Sequence, residues 1–305
     1  MDNINEITII GAGPAGIAAA IYLKRAGLHP TILEKNEPGG LLRYASFVEN
    51  YPGFPDGING NTLVKQFIKQ LQRQGVSIIK SDVQHIEHHD GTFLIETNQG
   101  DLISYAIIVA TGTIPKKLAI KGASSIEGTR LFYEPQSIPL GKKGVKKRIL
   151  VIGGGDIAFD YTLTLLSWGH EVTIISRSKP TCLPLLQERV IKNRAIIQKM
   201  YVPEEIVKHR EEILLTCRRN NHVEEFPADI ILVACGRDPN TSFLSSTLKK
   251  CIDSTSEGPR TSLSGLFFAG DVIRGTCRQA GIAVGDGIHA AMMVEQCVRK
   301  RPVKP

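Results

Sequence analysis

The residues with the clearest chemical purpose form a glycine-rich hexapeptide near the N-terminus, Gly11-Ala12-Gly13-Pro14-Ala15-Gly16. An apolar run at 7–10 precedes it and a run of small residues follows it, a pattern that predicts strand, tight turn and helix. Glycines at this spacing let the backbone approach a pyrophosphate, and the helix start supplies N–H donors. Glu34 ends the next apolar strand, where a carboxylate accepts the hydroxyls of a ribose without a 2′-phosphate. The hexapeptide therefore predicts a dinucleotide site; the alternative is a glycine-rich turn with no ligand.

A second glycine motif, Gly153-Gly154-Gly155-Asp156-Ile157-Ala158, follows a predicted strand at 148–152. Ala158 is small enough for the following helix to pack closely on that strand. The next predicted strand ends in Ser176-Arg177-Ser178-Lys179, and no acid stands where Glu34 follows the first motif. Two cations and two hydroxyls suit a 2′-phosphate, so the motif predicts NADPH rather than NADH. The alternative is a charged surface turn.

The sequence contains six cysteines, and no two of them form a C-x-x-C pair. They are Cys182, Cys217, Cys235, Cys251, Cys277 and Cys297. This spacing excludes both a motif dithiol and a zinc-finger pattern, so we expect no metal site and mostly buried free thiols. For Cys277 two interpretations stay open: a packing thiol, or a redox thiol paired with a distant cysteine such as Cys182.

The formal net charge is +7, with basic runs at 142–148 and in the tail Arg299-Lys300-Arg301 with Lys304. Neither run is interleaved with aromatic residues, which argues against nucleic-acid binding. The charge either is solvated or steers an acidic protein partner or a phosphorylated cofactor. No apolar run is long enough to span a membrane, and no charged-then-apolar leader precedes the first strand. We therefore expect a cytoplasmic protein.

The elements around the two glycine motifs repeat one plan. Each motif is followed by meander strands and then by a buried strand that runs into a turn, at 106–112 and at 228–237. In the first unit we expect a helix at 60–74 and meander strands at 83–87, 92–97 and 102–105.

The last segment contains a predicted strand that ends at Asp271 and a predicted helix at 283–298. It is too short for a third nucleotide-binding domain, so we expect it to complete the first one. The expected fold class is α/β, with two Rossmann-like three-layer domains. The first comprises 1–115 and 240–305, and the second, 116–239, is inserted in it.

These motifs resemble, over nearly the whole chain, the thioredoxin reductase family of FAD- and NADPH-dependent flavoproteins. Besides the two glycine motifs and Glu34, the resemblance rests on Glu49-Asn50-Tyr51-Pro52-Gly53-Phe54-Pro55, Ala110-Thr111-Gly112 and Gly270-Asp271 with Arg278-Gln279-Ala280. It implies that the first domain binds FAD and the second binds NADP.

The resemblance also implies roles for single residues. Asp271 would bind the ribityl chain, and the backbone of Gln279 and Ala280 would reach the flavin ring. Asn50 would lie near the isoalloxazine and Val83 beside the adenine. The other residues expected at the FAD site are Lys35, Gly40, Leu41, Ala110, Thr111, Gly112, Gly270 and Arg278, and Gly236 is expected at the NADP site.

One segment departs from the family pattern. Thioredoxin reductases place a C-x-x-C just before the second glycine motif, where this chain has Leu131-Phe132-Tyr133-Glu134-Pro135-Gln136-Ser137. Without thiols there, no disulfide can carry electrons from the flavin to thioredoxin by the usual route. The segment is similar to ferredoxin–NADP reductases of the same fold, whereas Arg278-Gln279-Ala280 is similar to the reductases that have thiols. Two interpretations of Tyr133 stay open: its ring stacks near the flavin in place of a disulfide, or it has a simple packing role.

We therefore expect an FAD-dependent NAD(P)H oxidoreductase without an active-site disulfide, which passes electrons directly to an acceptor such as ferredoxin or flavodoxin. Two alternatives stay open: a disulfide reductase that uses cysteines outside the usual motif, and a non-catalytic flavin-binding regulatory protein. The resemblance also implies a homodimer and a rotation of the domains about the crossings near residues 115 and 240.

Overall fold

The computed structural model describes residues 5–139, 145–209, 212–252 and 258–300. Its helices are α1 (Pro14–Arg25), α2 (Gly60–Arg73), α3 (Ala123–Ile126), α4 (Asp156–Ser167), α5 (Pro184–Lys192), α6 (Ser246–Lys250) and α7 (Ala280–Arg299). Its strands are β1 (Asn5–Ile10), β2 (Pro30–Glu34), β3 (Ile78–Lys80), β4 (Val83–His89), β5 (Thr92–Thr97), β6 (Leu102–Val109), β7 (Thr113–Pro115), β8 (Leu131–Phe132), β9 (Arg148–Ile152), β10 (Glu171–Ser176), β11 (Ile196–Lys199), β12 (Val202–His209), β13 (Glu212–Arg219), β14 (His222–Ala228), β15 (Ile230–Val233), β16 (Arg237–Pro239) and β17 (Leu266–Phe268).

The chain divides into two compact units. Unit 1 comprises Met1–Ile114 and Pro239–Pro305, and unit 2 comprises Pro115–Asp238. The chain passes between the units twice, and the two crossing strands, β7 and β16, form a short two-stranded sheet. Part of each basic run, 142–144 and 301–304, lies outside the described residues.

Unit 1 is built on a seven-stranded sheet in the order β3-β2-β1-β6-β5-β4, with β17 also paired to β6. The strands β3, β2, β1, β6 and β17 run parallel, while β4 and β5 form the antiparallel meander. Alternate residues of β1 enter two different cores, as Ile9 packs with α1 and α7 and Ile10 packs on the opposite face. Burial on both faces explains why β1 is an apolar run rather than an alternating strand.

The last segment lies in unit 1. Leu266, Phe267 and Phe268 of β17 pair in parallel with Ile107, Ile108 and Val109 of β6. Through this pairing the C-terminal segment adds β17 to the sheet of unit 1.

Two predicted strands, 102–105 and 106–112, are one strand in the structure, β6. Its first half pairs with β5 in the antiparallel meander, and its second half pairs with β17. The prediction of two separate strands was wrong, because β6 changes its partner strand at this point while its own backbone continues.

Unit 2 contains a five-stranded parallel sheet in the order β11-β10-β9-β15-β8 and a separate antiparallel sheet, β12-β13-β14. Leu150 and Ile152 of β9 enter one core, and Ile149 and Val151 enter the other. The parallel sheets of both units, each flanked by helices, confirm the predicted α/β class.

Candidate cofactor-binding sites

The first glycine motif forms a turn that is closed by protein at two glycines and open at the third. Gly11 has φ +101°, and a Cβ there would lie 2.5 Å from the carbonyl oxygen of Ala110. A Cβ at Gly16 would lie 1.9 Å from the carbonyl oxygen of Gly11. A Cβ at Gly13, by contrast, would meet no atom within 4 Å. The open side of the turn therefore lies at Gly13, where the N-terminus of α1 begins.

Gly13 is the N-cap of α1, and as a glycine it has no side chain to accept a hydrogen bond from the first turn of this helix. Helices need acceptors for their first N–H groups, and a phosphate at the helix start supplies them. The open glycine and the uncapped N–H groups together fit the pyrophosphate of FAD.

Glu34 lies beside this turn and also supports it. One carboxylate oxygen accepts a hydrogen bond from the backbone N–H of Ala12 at 2.7 Å, and the other accepts from Asn36 at 2.8 Å. Each oxygen retains a second lone pair for a ribose hydroxyl. Lys35, in contrast, points to Asp82, with 2.9 Å between Nζ and Oδ2.

The segment after β2 lies against the same turn. The backbone N–H of Gly39 donates to the carbonyl of Ala12 at 2.8 Å, and a Cβ at Gly40 would lie 3.4 Å from the Cα of Gly13. Leu41 follows in the 3-10 helix Gly40–Tyr44. The fold therefore brings Gly40 to the first glycine motif.

Two residues expected near the flavin ring meet although 229 positions separate them. The side-chain amide of Asn50 donates to the side-chain oxygen of Gln279 at 2.6 Å. Gln279 is the N-cap of α7, and Ala280 is the first residue of that helix. Val83 lies apart from them, at the start of β4.

The remaining expected FAD residues follow the ends of β6 and β17. Ala110 closes over Gly11, and the hydroxyl of Thr111 donates to the carbonyl of Asn240 at 2.7 Å, with Gly112 next in the chain. Gly270 begins a 3-10 helix that contains Asp271. A Cβ added at Gly270 would lie 3.0 Å from the Cβ of Ala15. Because β1, β2, β6 and β17 are parallel, the stretches that follow their carboxyl ends meet at one edge of the sheet. Dinucleotides bind at that edge in folds of this type.

The second glycine motif repeats this geometry in unit 2. A Cβ at Gly153 would lie 2.4 Å from the carbonyl oxygen of Ala234, whereas a Cβ at Gly155 would meet no atom within 4 Å. Gly155 is the N-cap of α4, again a glycine that offers no side-chain acceptor of its own, and Asp156 and Ile157 follow in the first turn of this helix. Ala158 is buried against the sheet. Gly236, after β15, accepts a backbone hydrogen bond from Lys116 at 3.0 Å.

The residues expected to select the 2′-phosphate divide into two groups. Ser176 is buried, and its hydroxyl donates to the carbonyl of Ser178 at 2.8 Å, so it stabilises the turn. Arg177, Ser178 and Lys179 are exposed. In the described ranges neither Arg177 nor Lys179 forms an ion pair, which leaves both cations available to a phosphate.

All six cysteines are free thiols, but they are not all buried as expected. Cys235 and Cys277 are exposed, and only Cys217 is fully buried. Burial raises the pKa of Cys217 to about 12, and burial together with the nearby Asp156 carboxylate raises the pKa of Cys182. High pKa values keep thiols protonated and unreactive, so Cys182 is poorly placed for redox work.

The segment that replaces the C-x-x-C is held by polar contacts inside unit 2. The hydroxyl of Tyr133 accepts from the backbone N–H of Leu118 at 3.2 Å, and the ammonium of Lys117 lies 4.5 Å from the Tyr133 ring centroid. Glu134 pairs with Arg237 at 3.2 Å, and the Arg237 side chain is only 5% exposed. These contacts favour a packing role for Tyr133.

Two residues at the first site escaped sequence reasoning. Asp286, buried in α7, accepts hydrogen bonds from the backbone of Gly270 and the guanidinium of Arg274. The available signal was a carboxylate among the small residues of a helix that otherwise packs on the sheet. Neither a cluster of three potential metal-ligating side chains nor a helix suited to crossing a membrane occurs in the part of the chain that the structure describes.

Comparisons to known proteins identify the family of this chain. Residues 5–287 match the family model described as pyridine nucleotide-disulphide oxidoreductase. Thioredoxin reductase of Rickettsia conorii is 32% identical over 316 residues, which cover 97% of this chain and 98% of that protein. The crystal structure of Lactococcus lactis thioredoxin reductase has a TM-score of 0.88 at 31% identity and covers 97% of this chain and 100% of its own. Bacillithiol disulfide reductase from Bacillus cereus shares the fold, with a TM-score of 0.79 at 21% identity. The match covers 98% of this chain and 100% of that one.

The chain therefore belongs to the pyridine nucleotide-disulphide oxidoreductase family. Within this enzyme family it is thioredoxin reductase-like, and thioredoxin reductases use FAD and NADPH. The expectation of a thioredoxin reductase-like FAD oxidoreductase is confirmed at this level.

Proposed function

We propose that this enzyme transfers electrons from NADPH, bound in unit 2, through FAD, bound in unit 1, to an acceptor that contains a disulfide. The observation that carries the proposal is the pair of glycine turns, each closed by protein at its first glycine and open at Gly13 or Gly155. When bound, FAD supplies the redox chemistry by taking a hydride from NADPH and yielding two electrons to the acceptor.

In unit 1 the protein would hold FAD along the parallel-strand edge. The N-terminus of α1 binds the pyrophosphate, Glu34 binds the adenosine ribose, and Asp271 binds the ribityl chain. Asn50 and Gln279, held together by their hydrogen bond, would lie at the flavin ring, where the N-terminus of α7 favours negative charge. The same proposal includes contacts of FAD with Val83, Lys35 and the segment 110–112.

In unit 2 the N-terminus of α4 would bind the NADPH pyrophosphate. The exposed side chains of Arg177 and Lys179 would bind the 2′-phosphate, which NADH lacks. Because the hydroxyl of Ser176 donates its hydrogen bond inside the turn, we assign the selection of NADPH over NADH to Arg177 and Lys179.

The relatives support a disulfide as the acceptor, since most of those compared are named thioredoxin reductases. Disulfide reduction consumes two electrons and two protons and yields two thiols. The thiol best placed to meet such an acceptor is Cys277, which is exposed and directly precedes Arg278 in the expected flavin segment.

A second candidate is direct electron exit to ferredoxin or flavodoxin, which the absence of a C-x-x-C favours. The basic run that was expected to attract an acidic partner supports it less. Lys146 pairs with Glu171 at 2.7 Å, and Arg148 pairs with Glu212 and Asp229. Acids of the same unit therefore offset the charge of Lys146 and Arg148, two of the three described cations in this run. A homodimer and a cytoplasmic location stay predictions.

The first experiment is anaerobic mixing of the FAD-loaded protein with NADPH or NADH, followed at the flavin absorbance band. The proposal requires fast bleaching by NADPH, and no bleaching would overturn it. Turnover is then measured with oxidised thioredoxin, a small aromatic disulfide, ferredoxin and flavodoxin. FAD binding without turnover on any acceptor would instead indicate a regulatory protein.

The Cys277→Ser variant separates the two acceptor classes. We expect it to lose disulfide reduction while NADPH still bleaches the flavin. Cys182→Ser is the matched control, because that thiol is half-buried beside Asp156 and should not matter. Salt-sensitive ferredoxin reduction that survives Cys277→Ser would support direct exit.

A further inference from the structure

The last helix carries a buried acid to which the function proposed above assigns no role. Asp286 is 5% exposed and lies in the second turn of α7. One of its carboxylate oxygens, Oδ2, accepts a hydrogen bond from the backbone N–H of Gly270 at 3.2 Å. The same oxygen accepts from Nε of Arg274 at 2.7 Å, and a second guanidinium nitrogen donates to Oδ1.

These contacts join Asp286 to both ends of one short turn. Gly270 begins the 3-10 helix that contains Asp271, and the carbonyl of Arg274 accepts from the backbone N–H of Cys277 at 2.8 Å. The segment 270–280 contains every C-terminal residue assigned to FAD, and its first half is thus hydrogen-bonded to α7 through one carboxylate.

The same turn of α7 also meets the first glycine motif. Gly287, next to Asp286, packs so closely on α1 that a Cβ there would lie 2.0 Å from the carbonyl oxygen of Ala15. Asp286 therefore lies where the segment 270–280 and the start of α1 converge on α7.

We propose that Asp286 is a positioning residue for FAD, which holds the segment 270–280 in register with the N-terminus of α1. This inference rests on the assignment of FAD to unit 1 and is independent of the electron acceptor. Asp286 needs no contact with FAD for this role. It acts through Gly270 and Arg274, so that Asp271, Gln279 and Ala280 face the cofactor together.

A carboxylate is suited to this task because it accepts several hydrogen bonds in fixed directions, and the Arg274 fork binds both of its oxygens. An amide in its place offers one acceptor oxygen for three donors. The N–H of Gly270 or the guanidinium of Arg274 then loses its partner, and the turn loosens.

The test compares the Asp286→Asn and Arg274→Lys variants with the wild-type protein. FAD is titrated into each apoprotein, and its dissociation constant is obtained from the quenching of flavin fluorescence. We expect Asp286→Asn to raise the dissociation constant at least tenfold and to alter the visible circular dichroism of the bound flavin. Arg274→Lys keeps the positive charge but loses the fork, so we expect an intermediate effect.

The matched control is Glu295→Gln. Glu295 is another carboxylate of α7 that pairs with an arginine, Arg299, but it lies away from the segment 270–280. We expect it to leave FAD binding unchanged.

A merely structural role makes a different prediction. If Asp286 is merely structural, Asp286→Asn lowers the melting temperatures of the apoprotein and of the FAD-loaded protein equally. If Asp286 positions FAD, the rise in melting temperature that FAD produces is smaller in the variant than in the wild-type protein. Wild-type affinity and an unchanged flavin spectrum in Asp286→Asn would overturn the inference. If that variant does not fold, unchanged binding by Arg274→Lys would do so. Failure of the wild-type protein to bind FAD would instead overturn the function proposed above.

Discussion

Alanine at two glycines of the first motif is expected to separate folding from cofactor binding. At Gly16 a Cβ would lie 1.9 Å from the carbonyl oxygen of Gly11, whereas real Cβ atoms keep at least 3.0 Å from other heavy atoms. One backbone segment must therefore shift by about 1.1 Å. Because overpacking of a tight site costs up to about 3 kcal/mol and here both groups are backbone, we expect Gly16→Ala to lose at least about 3 kcal/mol of unfolding free energy.

At Gly13 the same added methyl group meets no protein atom, and φ −76° with ψ −177° is accessible to alanine. The unfolding free energy of the apoprotein should change by less than about 1 kcal/mol. The methyl group instead occupies the space in which the pyrophosphate must approach the helix N–H groups. Loss of two hydrogen bonds to a charged group, at about 1.5 kcal/mol each, weakens FAD binding by about 3 kcal/mol, or roughly 100-fold.

Urea denaturation of the two apoproteins measures the first effect, and FAD titration of Gly13→Ala measures the second. Wild-type stability in Gly16→Ala, or wild-type FAD affinity in Gly13→Ala, would refute the assignment of the closed and open sides of this turn. Equal losses of stability in both variants would refute it as well.

Three further predictions concern unit 2. Replacement of Arg177 and Lys179 by alanine should raise the KM for NADPH by about tenfold per cation and leave the KM for NADH within about twofold, since only NADPH presents a 2′-phosphate; a parallel rise of both KM values would contradict this. His170 is 7% exposed, its Nε2 has no partner within the described residues, and burial lowers its pKa. Because the folded state disfavours the charged ring, the unfolding free energy should fall as the pH drops below about 6.5, and His170→Gln should flatten that slope in denaturation at several pH values. Glu134→Gln should cost about 2 kcal/mol of unfolding free energy by weakening the ion pair with the buried Arg237, without changing the KM for NADPH; unchanged thermal stability would show that this pair adds nothing.

The local part of both sites was readable from the sequence. Glycine spacing, the apolar run before it and the small residues after it act within a few positions, so the turns at Gly11–Gly16 and 153–158 could be predicted. The helix expected at 60–74 runs from Gly60 to Arg73. Its start is also set locally, because the side chain of Asn59 accepts from the N–H groups of Asn61 and Thr62.

Contacts across long stretches of chain were not readable in this way. The continuous β6 was divided in two because its partner strands lie more than 150 residues apart, in β5 and β17. The exposure of Cys277 was missed because hydropathy describes a residue type, while exposure depends on what the rest of the chain places over it.

The sequence by itself determined the two glycine turns, the acid after the first, the cations after the second and the absence of a C-x-x-C. Each depends on residue identities a few positions apart, where sterics and charge act directly. Only the tertiary structure joined Asn50 to Gln279, locked Glu134 to Arg237 and placed Asp286 beneath Gly270 and Arg274. Each of these contacts joins different elements or loops of the fold, and no local pattern records which side chains will meet there.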